Sequence, residues 1–167
     1  KIWAGDYCDC RDADIVVISA VAAQKTDEKR LQLVQRNFEV FKEIVPAITT
    51  HNRNGILLIA TNPVDIMTYA TLKLSKFPSN RVIGSGTILD TSRVRYMLGE
   101  HLKIDPRNVH AYIIGEHGDS EVPVWSLANV AGTPLQQFCL QREAKCDTIL
   151  LNSLFGKVKN AAYEIIE

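Results

Sequence analysis

Two β-branched blocks on either side of a long amphipathic stripe restrict this chain more than any other feature. Ile15-Val16-Val17-Ile18, placed after Asp12-Ala13-Asp14, is a continuous apolar run and reads as a strand covered on both faces. From Arg30 onward apolar residues recur three and four apart, at Leu31, Val34, Phe38, Phe41, Val45 and Ile48. That period predicts a helix with those side chains on its buried face. Gly55 ends the connection, and Ile56-Leu57-Leu58-Ile59-Ala60 is a second buried strand, closed by Thr61-Asn62-Pro63. Val64 to Ser75 then predicts a helix and Val82-Ile83-Gly84 a third short strand. Strand, helix, strand, helix, strand is the order of a parallel sheet with crossover helices.

Past Gly86 the pattern changes. Leu89 to Leu102 predicts a helix ended by Asp105-Pro106. Val109 to Ile114 and Glu121 to Val130 read as two strands with Gly115-Glu116-His117-Gly118-Asp119 between them. No crossover helix separates the two, so they predict antiparallel pairing in an α+β arrangement. Arg142 to Glu167 is helical in pattern, with a break near Gly156. The fold class is therefore α/β: a parallel sheet with crossover helices, residues 1–84, followed by an α+β half, residues 85–167.

Composition excludes several functions. Nineteen basic residues balance nineteen acidic ones, which argues against holding nucleic acid or an anionic membrane by bulk charge. No apolar run approaches the roughly eighteen residues of a membrane span. Nine Gly and six Pro among 167 residues exclude collagen-like and disordered compositions. The first residue is Lys1 and no secretory signal precedes the first strand, which predicts a processed or truncated N-terminus. Cys8, Cys10, Cys139 and Cys146 do not have the spacing of a zinc or redox knuckle. They read as reduced thiols of a cytoplasmic protein, with no metal site.

Four segments carry candidate chemistry. Thr61-Asn62-Pro63-Val64-Asp65 follows a buried strand, where ligands collect in open α/β sheets; an ordinary Asn-Pro turn explains it too. Asp90 and Arg93 lie three apart on one helix face, whereas Arg95 points ~200° round from Arg93. Taken alone, such a pair is also a surface ion pair worth under about 1 kcal/mol. His117, between glycines at the end of an apolar strand, has the side chain whose proton moves most easily near neutral pH, and a carboxylate such as Asp90 would fix its tautomer. A hydrogen-bonded turn histidine fits the same residues. Gln24 to Arg30, a charged connection after the first strand, suits either a lid over a site or a solvated capped loop.

Joined together, these stretches resemble the L-lactate dehydrogenase family, of the bacterial, allosterically regulated kind. The resemblance runs through Gly5-Asp6-Tyr7, Asp12 to Ile18, Gln24 with Arg30-Leu31, and Ala60 to Asp65. It continues through Arg81 to Thr87, Leu89 to Arg93, Val109 to Tyr112, Gly115 to Ser120 and Ala161-Ala162-Tyr163, essentially the whole chain in unbroken order. It implies a Rossmann-type cofactor domain followed by a substrate domain, NAD as cofactor, and reduction of pyruvate to lactate.

The roles implied are specific. His117 would give the proton to the pyruvate carbonyl oxygen, braced by Asp90. Arg93 would grip the substrate carboxylate through its planar fork. Arg30, on a mobile loop, would polarise the carbonyl, and Asn62 and Asp65 would complete the substrate contacts. Tyr7, Val21, Ala22, Ala60, Thr61, Asn62 and Ser85 match cofactor-binding positions. Gln24 faces the substrate side chain; being neutral, it would leave the second carboxylate of a malate-type substrate unpaired. Arg95 and His110 match the pair that binds fructose 1,6-bisphosphate between subunits, implying an activated homotetramer. A malate-type dehydrogenase, or a non-catalytic fragment that keeps the subunit interface, are the alternatives.

The chain departs from the family in two respects. It carries no G-x-G-x-x-G with an acidic residue about 20 positions beyond, so it reads as starting partway into the cofactor domain and stopping before the family's final strands. Val21-Ala22-Ala23 stands where Gly-Ala-Asn is usual, and Thr26-Asp27-Glu28-Lys29 where Pro-Gly-Glu-Thr or Ser is usual. Asp27 in the place of glycine predicts a stiffer lid.

Overall fold

The computed structural model describes residues 1–22 and 30–166, apart from the side chains of residues 30–33 and 162–166. It divides into two compact units, Lys1–Ser85 and Gly86–Glu167.

In the first unit β1 (Ile15–Ile18), β2 (Ile56–Ile59) and β3 (Val82–Gly84) form a parallel sheet in the order β1-β2-β3. Ile15 pairs with Ile56 and Leu57 with Val82. α1 (Arg30–His51) and α2 (Val64–Ser75) are the crossovers. Phe41, Val45 and Ile48 of α1 pack with Leu57, Ile59, Val64 and Met67 into the unit's core.

Two expectations fail in this unit. Phe38 is not on the buried stripe: it is 37% exposed, beneath the Lys42 ammonium, while Asn37 is fully buried. The reason is polar. Asn37 Oδ1 accepts from the Ala22 amide at 2.8 Å and its Nδ2 donates to the Asn62 carbonyl at 3.0 Å, satisfying loops that follow β1 and β2. Those bonds turn the helix toward Asn37 rather than Phe38. Second, β1 is not covered on both faces. Among the described residues it has a strand neighbour on one side only, and Ile15 and Val17 are 56% and 57% exposed. The approach to β1 is held by the buried Asn52, which donates to the Cys10 and Ala13 carbonyls and accepts from the Gly55 amide.

The second unit opens with α3 (Ile88–Leu102). Short strands follow: β4 (Val109–His110), β5 (Ile113–Ile114), β6 (Val122–Pro123), β7 (Asn129–Val130) and β8 (Thr133–Pro134). β5 pairs antiparallel with β6, and β4 with β7, whose other neighbour is β8. Antiparallel pairing is thus as expected, but neither long strand is continuous. Val109–Ile114 divides at Ala111-Tyr112, and Glu121–Val130 is interrupted by a 3-10 turn at Trp125–Leu127. Apolar runs of this length carry no marker for a one-turn break.

α4 (Leu135–Gln141) and α5 (Thr148–Ile166) complete the unit. Helix begins at Thr148 rather than Arg142 and passes through Gly156 unbroken, because a helix supported by packing tolerates one glycine. Leu151, Leu154 and Val158 of α5 meet Val94, Leu98 and Leu102 of α3 in the core. The stretch before α5 is held by a disulfide between Cys139 and Cys146, Cα atoms 6.1 Å apart. Reduced thiols are therefore corrected for this pair, since α4 and the turn after it bring the two cysteines together; Cys8 and Cys10 are free. No helix among the described residues is long and apolar enough to cross a membrane.

Candidate active site

The geometry around His117 begins with the backbone of β5. Ile113 faces Pro123 in the β5–β6 register, and the Val124 amide donates to the Tyr112 carbonyl at 2.9 Å. Alternate residues of an antiparallel pair turn their polar groups toward and away from the partner strand. The N–H and C=O of Ile113 accordingly point away from β6, and threonines of α3 receive them. Thr91 Oγ1 accepts from the Ile113 amide at 3.0 Å and donates to its carbonyl at 3.3 Å, and Thr87 Oγ1 donates to the same carbonyl at 2.6 Å. This clamp joins the first turns of α3 to the strand that leads into the histidine loop.

The loop then turns back through Gly115 (φ 96°) and Gly118 (φ 137°), on either side of His117. A Cβ at Gly118 would meet nothing within 4 Å, so conformation rather than space requires glycine there. Ser120 Oγ donates to Glu116, and Lys159 of α5 donates to the Asp119 carbonyl at 2.8 Å, holding the loop's far side.

Asp90, 2% exposed, lies in the first turn of α3 beneath this loop. His117 Nδ1 donates to Asp90 Oδ2 at 2.7 Å, while Arg93 Nη1 stands 3.5 Å from Asp90 Oδ1. One buried carboxylate thus touches both an imidazole and a guanidinium. The bond to Nδ1 fixes the ring tautomer, so proton exchange falls to Nε2. Such a base-and-orienter pair beside a cation suits transfer of a proton to a substrate bearing a carboxylate.

Glu121 is absent from the sequence expectations and belongs to this cluster. Its carboxylate is buried, and neither oxygen has a hydrogen-bond partner among the described residues. Burial pushes its pKa up, the Asp90 charge pushes it further, and His117 and Lys159 pull the other way. The only sequence signal is an acid opening an apolar run.

Arg95 does not face Asp90. Its guanidinium lies over the Tyr112 ring, 5.3 Å from the centroid, with Nε buried and without a hydrogen-bond partner among the described residues, and His110 is in β4 two residues from Tyr112. The helical-wheel separation of Arg93 and Arg95 is therefore realised.

In the first unit Val21 and Ala22 follow β1, Ala60, Thr61 and Asn62 follow β2, and Ser85 follows β3, so these positions share the carboxyl ends of the three parallel strands. Thr61 Oγ1 donates to the Ala20 carbonyl at 2.8 Å, and the Ser85 amide donates to the Ile59 carbonyl at 2.8 Å. Tyr7 lines a cleft of about 510 Å³ with Val16 to Ala20. Asn62 precedes a cis peptide to Pro63, and Asp65 is in the first turn of α2. Gln24, Asp27 and the rest of the 26–29 loop lie outside the described residues, as does the side chain of Arg30.

Comparison with known proteins agrees along the whole chain. Residues 1–84 match the sequence model of the lactate/malate dehydrogenase NAD binding domain, and residues 87–167 that of the lactate/malate dehydrogenase alpha/beta C-terminal domain. The L-lactate dehydrogenase of Acetivibrio thermocellus is 58% identical over 166 residues, covering 99% of this chain and 52% of that protein. L-lactate dehydrogenase 1 of Clostridium acetobutylicum is 56% identical over 166 residues, covering 99% and 53%. The crystal structure of a lactate dehydrogenase from a Medee basin deep-sea metagenome library superposes with a TM-score of 0.89 at 48% identity, covering 97% of this chain and 51% of that one. The chain spans about half the length of the curated relatives it matches.

Proposed function

The chain belongs to the lactate/malate dehydrogenase family, and on that footing we propose that it carries the proton-transfer and carboxylate-binding machinery of an NAD-dependent L-lactate dehydrogenase. The observation that supports this most directly is the 2.7 Å bond from His117 to a buried Asp90 that also meets Arg93. His117 is the acid for pyruvate reduction: Nε2–H points the proton at the substrate's C2 oxygen. Asp90 keeps the ring in that tautomer and stabilises the imidazolium before the proton leaves. Arg93 holds the substrate carboxylate with two parallel N–H donors, fixing the C2 carbonyl relative to His117. NADH, when bound, supplies the hydride that reaches C2. As that carbon becomes tetrahedral, the oxygen takes the proton from His117, giving L-lactate and neutral imidazole. The reverse reaction returns the proton.

The strand ends of the first unit fit a dinucleotide. Their side chains are small at Ala22, Ala60 and Ser85, which leaves backbone open to a ligand, and Tyr7 borders the adjoining cleft. Asn62, Asp65 and Arg30 are assigned to the substrate. Gln24 is assigned to its methyl end, favouring pyruvate over oxaloacetate, whose second carboxylate would find no cation there. Arg95 and His110 are assigned to fructose 1,6-bisphosphate at a subunit contact of a homotetramer, supported by α3 turning Arg95 away from Arg93. A cytoplasmic location is consistent with use of the NAD pool.

The test is pyruvate-dependent oxidation of NADH by the protein that carries this chain. The His117→Asn variant is expected to lose about 10²–10⁴-fold in turnover, and oxaloacetate to be reduced far less well than pyruvate. Equal rates for parent and variant, or a preference for oxaloacetate, overturn the assignment. Sedimentation with and without fructose 1,6-bisphosphate tests the assembly, and an indifferent monomer removes that part of the proposal.

A further inference from the structure

Glu121 has no task in the chemistry above. It is 5% exposed, and neither carboxylate oxygen has a hydrogen-bond partner among the described residues. The Gly118 backbone and the charges of His117 and Lys159 offset part of the cost of burying that carboxyl, and a native structure relieves the rest with a partner or a cation. The Lys159 ammonium lowers the cost of that charge, but it donates its hydrogen bond to the Asp119 carbonyl. What Glu121 does face is its own cluster: one ligand atom each from Glu121, Asp90 and His117 lies within 4.8 Å of the others.

We propose that Asp90, His117 and Glu121 form a binding site for a divalent cation of the zinc class. An imidazole nitrogen with two carboxylate oxygens is a donor set for Zn²⁺ or Co²⁺; Mg²⁺ and Ca²⁺ prefer oxygen alone. Zinc bonds of about 2.0–2.2 Å bring tetrahedral ligand atoms to about 3.4 Å of one another. The cluster therefore closes by up to roughly 1.4 Å on binding, within the reach of glutamate side-chain rotation. Three protein ligands leave the fourth position open. The three come from α3, the histidine loop and the residue preceding β6, elements already fixed to one another through the Thr87 and Thr91 bonds and the β5–β6 pairing. Arg93, 3.5 Å from Asp90, and Lys159 oppose a cation, so binding is reversible rather than structural. Resting on the dehydrogenase reading, the ion is an inhibitor: it engages the imidazole and the carboxylate that braces it, and proton transfer stops while it is bound.

Titrating the chain with Co²⁺, followed by visible absorption and by broadening of histidine proton resonances, tests the site without turnover. One-to-one saturation with a Kd below about 1 mM is expected, with His117 broadened first and Glu121→Gln weakening binding by more than about tenfold. No saturation, broadening centred on His51, His101 or His110, or an unchanged Glu121→Gln overturns the site. Should Glu121→Gln fail to fold, the broadening map of the parent chain decides alone. In the pyruvate assay, Zn²⁺ is expected to inhibit at concentrations near its Kd and a chelator to restore activity. Binding without inhibition overturns the inhibitory role. A protein inactive even without metal refutes the dehydrogenase reading, while the cobalt titration still reports on the site.

Discussion

Replacing Thr91 by Val removes a hydroxyl while keeping the shape of the side chain, and the structure fixes what that hydroxyl does. Thr91 Oγ1 is the acceptor for the Ile113 amide, which points away from β6 and belongs to a residue buried in the core. Without the hydroxyl that N–H loses the acceptor it has among the described residues. Orphaning a buried donor costs about 1–3 kcal/mol. The Ile113 carbonyl is better protected, because Thr87 donates to it at 2.6 Å and Thr91 at 3.3 Å. Thr87→Val is therefore expected to cost less, under about 1 kcal/mol, since a second donor remains. The double variant should be worse than the sum, because the carbonyl then loses both. Urea unfolding followed by Trp125 emission reads this unit, since Trp125 packs against its core whereas Trp3 is exposed. In a unit of this size each kcal/mol also lowers Tm by about 4–8 °C. Thr91→Val within about 0.5 kcal/mol of the parent, or Thr87→Val costing more than Thr91→Val, would refute the argument that the clamp satisfies Ile113.

Two further outcomes are expected. Glu121 has its carboxyl pKa raised by burial and by Asp90, so the folded state holds that proton more tightly than the unfolded chain. Its contribution is complete below the unfolded value near 4.5 and is lost as pH rises through the folded value. Glu121→Gln in metal-free buffer should thus gain stability relative to the parent at pH 7.5 but not at pH 4; equal differences at both pH values would count against it. Phe41→Ala is expected to cost about 3–5 kcal/mol as a cavity in a fully buried place. Phe38→Ala, one turn earlier and exposed, should cost under about 1 kcal/mol; similar losses in thermal melts would mean the helix face is assigned wrongly.

Periodicity revealed the large elements because each is long enough to show a period. β1 coincides with the β-branched run 15–18, and α2 with the run 64–75. A strand of two residues has no period, which is why β8 was illegible, and the two turns of α4 are too short to show one. The face of α1 differs from its apolar stripe because an asparagine scores as polar, yet Asn37 gains two partners by turning inward: the Ala22 amide and the Asn62 carbonyl. At the site, helical spacing alone put Asp90 beside Arg93. That Asp90 also meets His117, 27 residues away, followed from family resemblance, since spacing says nothing about a loop returning over a helix. The Thr87 and Thr91 clamp and the burial of Glu121 depend on which way β5 presents its backbone. So does the Cys139–Cys146 bond on the path of an irregular turn. None of these has a pattern along the chain.

The margin of the first sheet governs how this polypeptide behaves when concentrated. Among the described residues β1 has a neighbour on one side only, and its four residues include no charge to keep another strand off. Ile15 and Val17 stand out beside its unpaired backbone groups, which together make a template that a second copy can extend. With as many cations as anions along the chain, no net repulsion holds copies apart near neutrality. Wherever this hem is left bare, crowding favours clumping that begins there, and a single lysine placed at Val17 is the smallest change that would give it a guard.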